Sequence, residues 1–105
     1  MEYGTRTLEL ADGRAPFEEW LNGLRDLGAK ARILAAVSKM SGGNFGGAKS
    51  IKGVPALFEY RIDAGPGYRI YYRVRGRTVV LLWGGTKRTQ TRDIERVRTL
   101  ARLLD

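Results

Sequence analysis

The 105-residue chain predicts an α+β fold: one strand, two helices, three strands and a last helix, the helices packing on a small, mostly antiparallel sheet. Three observations lead there. Residues 57–87 read LFEYRIDAGPGYRIYYRVRGRTVVLLWGGTK, three short apolar runs joined by Gly65-Pro66-Gly67 and Arg75-Gly76-Arg77, both turn chemistry. Upstream, apolar residues recur at helical spacing in two blocks that Gly28 separates. Downstream, a third such block runs to Leu104.

Taken in order, Glu2 to Leu10 alternates loosely with Tyr, Thr and Leu and reads as a first strand, broken at Ala11-Asp12-Gly13-Arg14. Pro16 suits the first helical position, where its missing N–H costs nothing. Phe17, Trp20, Leu21, Leu24 and Leu27 make one apolar stripe, with Trp20 read as core. Ile33, Ala36, Val37 and Met40 make a second, closed by Gly42-Gly43. In the three strands that follow, Phe58, Tyr60 and Ile62 alternate with Glu59, Arg61 and Asp63, and Ile70, Tyr72 and Val74 with Arg69, Tyr71, Arg73 and Arg75. Thr78 to Trp83 is nearly all apolar, as in a strand covered on both faces. Thr91 is placed as the N-cap of the last helix, with Asp93 and Glu95 at the positive end of its dipole. Ile94, Val97, Leu100, Ala101 and Leu104 form its buried stripe, and Arg92, Arg96, Arg98 and Arg102 its solvated side. No repeat or linker divides residues 1–105, which are expected to form a single domain.

Composition narrows the chemistry. With no cysteine and no histidine, disulfides, thiolate zinc sites and histidine-based nucleophilic catalysis fall away, and no metal or other cofactor is expected. No apolar run approaches a membrane span, and MEYGTRTLEL lacks the basic and apolar regions of a signal peptide, so the expectation is a cytoplasmic protein without a membrane partner. The net charge of +8 is one-sided. Residues 1–48 carry six Lys/Arg against six Asp/Glu, whereas residues 49–105 carry 13 against five. An excess confined to the sheet and the last helix is the footprint of a nucleic-acid or acidic partner.

Alternation places Glu59, Arg61, Arg69, Tyr71 and Arg73 on one face of the meander, read as wet and as the working surface. Gly43 to Ser50, GNFGGAKS, nearly matches a phosphate-binding loop, but it follows a helix and leads to a strand, the reverse of that motif's setting. It is read as a loop whose Lys49, with Lys52 beyond it, flanks the basic face.

The stretches F17-E-E-W-L21, G43-N44, E59-Y-R-I62, G65-P-G-Y-R-I-Y-Y72 and W83-G-G-T-K-R-T-Q90 resemble the RelE/ParE superfamily, and within it the HigB-like, phage-derived addiction-module killer proteins. The resemblance implies a RelE-like β-α-α-β-β-β-α domain. It also implies a type II toxin that cleaves messenger RNA on the ribosome and is silenced by a cognate antitoxin, often of helix-turn-helix type. By motif it places Arg61, Arg69 and Lys87 around the scissile phosphate, with Arg88 close by. Some relatives carry a catalytic tyrosine or histidine near the start of the last helix; residues 88–98 here contain neither.

RNA is cut without metal when its 2′-hydroxyl attacks the adjacent phosphorus, leaving a 2′,3′-cyclic phosphate and a 5′-hydroxyl. The catalyst takes one proton, offsets charge on the phosphoryl oxygens and gives one proton back. Arginine pairs phosphate oxygens with its planar fork and keeps its charge. Arg61, Arg69 and Arg73 are therefore expected to clamp the phosphate, with Lys49, Lys52 and Arg88 on the flanking RNA and Tyr71 stacking on a base. Lys87 or Lys49 handles protons, since a lysine crowded by cations releases its proton more readily. Glu59 is either the base or the ion-pair partner of Arg61. Two other readings stay open: a ParE-like gyrase inhibitor, and a non-catalytic protein that only binds an antitoxin and operator DNA.

Overall fold

The computed structural model describes residues 2–105. Five strands form one sheet: β1 (Gly4–Thr7), β2 (Ala48–Ser50), β3 (Leu57–Ile62), β4 (Tyr68–Arg75) and β5 (Thr78–Thr86), in the spatial order β1-β5-β4-β3-β2. Only β1 runs parallel to its neighbour, β5; the other pairs are antiparallel. The helices are α1 (Pro16–Asn22), α2 (Leu27–Ser41) and α3 (Gln90–Arg102), with a 3₁₀ turn at Lys87–Thr89 leading into α3. The predicted α+β class and helix count hold. The sheet gains β2, too short to read in a glycine-rich stretch, and the first strand is trimmed to four residues.

Two helix boundaries differ from the expected ones. Gly23 caps α1, so Leu24 packs from the connection and Leu27 opens the next helix, 76% exposed. Asp26 starts α2 by accepting from the Ala29 N–H at 3.1 Å, which puts Gly28 inside the first turn. At α3, Thr89 stands where Thr91 was expected. Its hydroxyl accepts from the Thr86 N–H at 3.3 Å and donates to Asp93 Oδ2 at 2.5 Å.

The sheet separates two cores. On one side α1 and α2 bury Phe17, Ile33 and Met40 against Ile70, Tyr72, Val79 and Leu81. On the other, α3 buries Val97 and Ala101 against Leu57, Tyr71, Val80 and Leu82. This second core is the main correction to the sequence reading. The arginine-bearing face is not open: Tyr71 is fully buried, Arg69 is 5% exposed and Arg73 6%. The amphipathic last helix needed an apolar surface, and the residues between the arginines supply it.

A bulge in β5 sets the remaining geometry. Tyr71 pairs with Trp83 and Tyr72 with Leu81, leaving Leu82 as the extra residue. Strand parity flips there, so Gly84 faces α1 and Gly85 faces α3. A Cβ on Gly84 would lie 1.9 Å from the Trp20 ring, and one on Gly85 2.0 Å from Asp93 Oδ2. The Gly-Gly pair is thus the floor on which one aromatic and one carboxylate rest. Among the described residues no helix is long and apolar enough to cross a membrane.

Candidate functional site

Arg61 and Arg69 are cross-strand partners on β3 and β4, and Lys49 on β2 pairs with Glu59. Lys87 enters from the 3₁₀ turn, its N–H donating to the Gly67 carbonyl at 2.8 Å. That bond ties the β3–β4 turn to the end of β5. Gly67 holds φ +76°, and a Cβ there would sit 3.4 Å from Lys87 Cβ and 3.6 Å from Arg69 Nη1. The motif GPGYR therefore brings the turn backbone close to both cations.

Lys49, Arg61, Arg69 and Lys87 line one cleft of about 500 Å³, together with Gly47, Asp63, Gly67 and Gln90. The cleft opens beside the first turn of α3, where the helix stops covering the sheet. A hollow of about 260 Å³ continues it, sharing Lys49, Arg61 and Gln90 and adding Lys52 and Arg98. Arg98 donates from Nε to the Lys52 carbonyl at 2.9 Å, fixing that end of the groove.

Within the cleft the two arginines differ. Arg61 donates from Nε to Glu59 Oε1 at 2.6 Å, which leaves its two terminal nitrogens free to face an anion. Glu59 is 2% exposed, and its other oxygen accepts from Gln90 Nε2 at 2.8 Å. Glu59 forms the expected ion pair with Arg61, and the carboxylate aims that guanidinium. Arg69 has no such partner. Its Nη1 donates only to the Tyr68 carbonyl at 3.3 Å, and its buried Nε has no acceptor. Among the described residues no carboxylate comes within ion-pair distance of it. A guanidinium largely buried without a counter-ion is unfavourable. An anion entering the cleft beside Arg69 offsets that cost.

Three expected contacts move away from the cleft. Tyr71 lies under α3, where no base can stack on it. Burial first, then the Glu59 and Asp93 carboxylates, hold its phenol above the usual range, so it stays protonated. Arg73 is a structural clamp: it donates to the Pro55 carbonyl at 3.0 Å and the Ala101 carbonyl at 2.8 Å, and pairs with Asp105 at 2.7 Å. Both were misplaced for one reason: alternation reports which face a residue shares, not which helix later covers it. Arg88 follows Lys87 in sequence but lines a different hollow with Thr89, Thr91, Arg92 and Glu95. Gln90 and Arg98 were not anticipated. Gln90 closes the motif WGGTKRTQ, and that position was the available signal. Among the described residues no group of carboxylates is arranged to hold a metal ion.

No family model matches the chain. A Haemophilus influenzae protein described as uncharacterized is 45% identical over 89 residues, spanning 84% of this chain and 88% of that protein. Among solved structures, a chain of the toxin–antitoxin complex RelBE2 from Mycobacterium tuberculosis superposes with a TM-score of 0.52 at 24% identity, covering 83% of this chain and all of that one. The architecture is RelE-like.

Proposed function

The chain belongs to one family with the uncharacterized Haemophilus influenzae protein, and from its RelE-like fold and cation-lined cleft we propose that it is the toxin of a toxin–antitoxin pair, a metal-independent endoribonuclease acting on messenger RNA. The observation that carries the reading is Arg69, buried without a counter-ion in a cleft shared with Arg61, Lys49 and Lys87. Four cations around one hollow match the charge that grows on a phosphodiester under attack.

In this mechanism Arg61, aimed by Glu59, and Arg69 grip the non-bridging oxygens and stabilise the charged transition state. Lys87 and Lys49 handle the protons: one takes the 2′ proton, the other protonates the departing 5′ oxygen. The products are a 2′,3′-cyclic phosphate and a 5′-hydroxyl. Lys52 and Arg98 hold the strand where the groove continues. In the cytoplasm the ribosome presents the message, but every reacting group comes from this chain, so free RNA is cut too, and a cognate antitoxin of helix-turn-helix type silences the basic surface. That the structurally similar chain was solved within a toxin–antitoxin complex supports an antitoxin partner.

The test is to express the chain alone and map cut sites, with their end chemistry, on cellular messenger RNA. Growth arrest with cyclic-phosphate ends at new sites supports the proposal. Arrest with intact messages and loss of DNA supercoiling would overturn it in favour of a gyrase inhibitor.

A further inference from the structure

Arg88, Arg92 and Arg96 recur every four residues from the 3₁₀ turn into α3, on the exposed side of the helix. Residues at that spacing are neighbours on a helix surface, about 6 Å apart along its axis. Like charges so placed repel, costing about 0.2–0.5 kcal/mol per pair. Nothing within the described chain offsets this by an ion pair. Glu95, the acidic residue beside them, bonds instead to Arg98 at 3.1 Å. Arg88 and Arg92 line a hollow of about 650 Å³ with Thr89, Thr91 and Glu95. Arg96 lies over the Trp83 ring at 4.7 Å from its centroid, which holds that guanidinium in place.

The position of this stripe matters more than its charge. Lys87 lines the catalytic cleft and Arg88, the next residue, lines the second hollow. The 3₁₀ turn Lys87–Thr89 is therefore a ridge with a cationic basin on each side. A strand whose phosphate sits between Arg69 and Lys87 needs to cross only that turn to reach Arg88 and Arg92. Resting on the reading of the cleft as an RNA-cleaving site, we propose that Arg88, Arg92 and Arg96 form a second, non-catalytic site that holds the sugar–phosphate backbone of the RNA flanking the cut.

The chemistry favours a polyanionic backbone over a protein. Protein interfaces centre on aromatic or aliphatic anchors. The exposed large apolar side chains here are Leu27, Leu34 and Leu103, none of them in the stripe. The hollow offers guanidinium groups and threonine hydroxyls, the groups that contact phosphate without reading sequence.

The test compares wild-type chain with the double variant Arg92→Gln/Arg96→Gln and with Arg69→Ala. Binding to a fluorescent 20-nucleotide RNA and to a trinucleotide is measured across a salt series. The double variant is expected to bind the 20-mer at least tenfold more weakly, with a salt slope lower by about 1.4, since each single-strand phosphate contact contributes about 0.7. Its trinucleotide binding is expected to match wild type, and Arg92→Lys/Arg96→Lys is expected to keep most of the 20-mer affinity. Unchanged 20-mer affinity and slope in the glutamine variant would overturn the proposal. So would unchanged RNA binding with lost binding of poly-glutamate, which would assign the stripe to an acidic protein. The cleft reading fails separately, if Arg69→Ala binds the trinucleotide like wild type.

Discussion

Gln90 donates to Glu59 at 2.8 Å, and through that bond the first turn of α3 is fastened to the carboxylate that aims Arg61. The cleft is therefore assembled by an element that contributes no cation at that point. Asp93, one turn on, repeats the device: it accepts from Trp83 Nε1 at 3.2 Å and from the Thr89 hydroxyl, above the bare backbone of Gly85. Polar contacts seat the start of α3, and apolar packing of Val97 and Ala101 seats the rest.

Replacing Gln90 by Ala should slow RNA cleavage about tenfold, the worth of one hydrogen bond to a charged group, while leaving the fold intact. Single-turnover cleavage and thermal unfolding of the same variant check it. A chain that still folds, its melting point lowered by several degrees because buried Glu59 loses a bond, with a slowed chemical step is the expected pair of results.

Replacing Gly85 by Ala should do more damage. The new methyl meets Asp93 Oδ2 at 2.0 Å, so the first turn of α3 must shift and carry Gln90 with it. Overpacking of this kind costs about 1–3 kcal/mol. At this chain length that lowers the melting temperature by roughly 4–8 °C per kcal/mol, readable by calorimetry. Cleavage should fall as well, because Glu59 loses its partner.

Replacing Arg73 by Met should destabilise the chain without weakening RNA binding. The variant loses the contacts to Pro55, Ala101 and Asp105, worth about 2–3 kcal/mol after allowing for the exposure of Asp105. Denaturant unfolding shows the loss, and RNA affinity measured under folding conditions stays at the wild-type value. A large drop in affinity would return Arg73 to the binding surface.

Alkaline pH should unfold the protein through Tyr71 and Tyr72. Both phenols are held above their usual value of about 10, by burial first. The stability they confer is complete below the unfolded-state value and declines as pH rises past it, because only the unfolded chain ionises them. The slope reaches at most about 2.7 kcal/mol per pH unit for the pair. Phenolate absorbance should show these two groups titrating together with loss of structure, not before it.

Much of this was legible in the sequence. Alternation in EYRI and GYRIYY put Arg61 and Arg69 on one face with Glu59, and the structure joins them in one cleft with Lys87 and Lys49. What alternation did not reveal is which side chains α3 would cover. The helix stripe of Val97 and Ala101 was read correctly, but its landing place lies on residues distant in sequence, Tyr71 and Leu82 among them. Hence Tyr71 and Arg73, adjacent in pattern to the cleft arginines, ended in the core. Strand β2 escaped notice because three residues after a glycine-rich loop carry no period. The bulge at Leu82, which decides which of Gly84 and Gly85 faces which helix, has no local signature in VVLLWGG at all.

The most direct measurement is single-turnover cleavage of a defined RNA by the purified chain and by Arg69→Ala, with chelator present and product ends identified. The account predicts 2′,3′-cyclic phosphate ends from wild type, unaffected by chelator. It predicts a rate about 100- to 1000-fold lower for the variant, as for loss of one preorganised donor to a developing oxyanion. Equal rates from the two proteins, or cleavage that stops when divalent metal is removed, would contradict it.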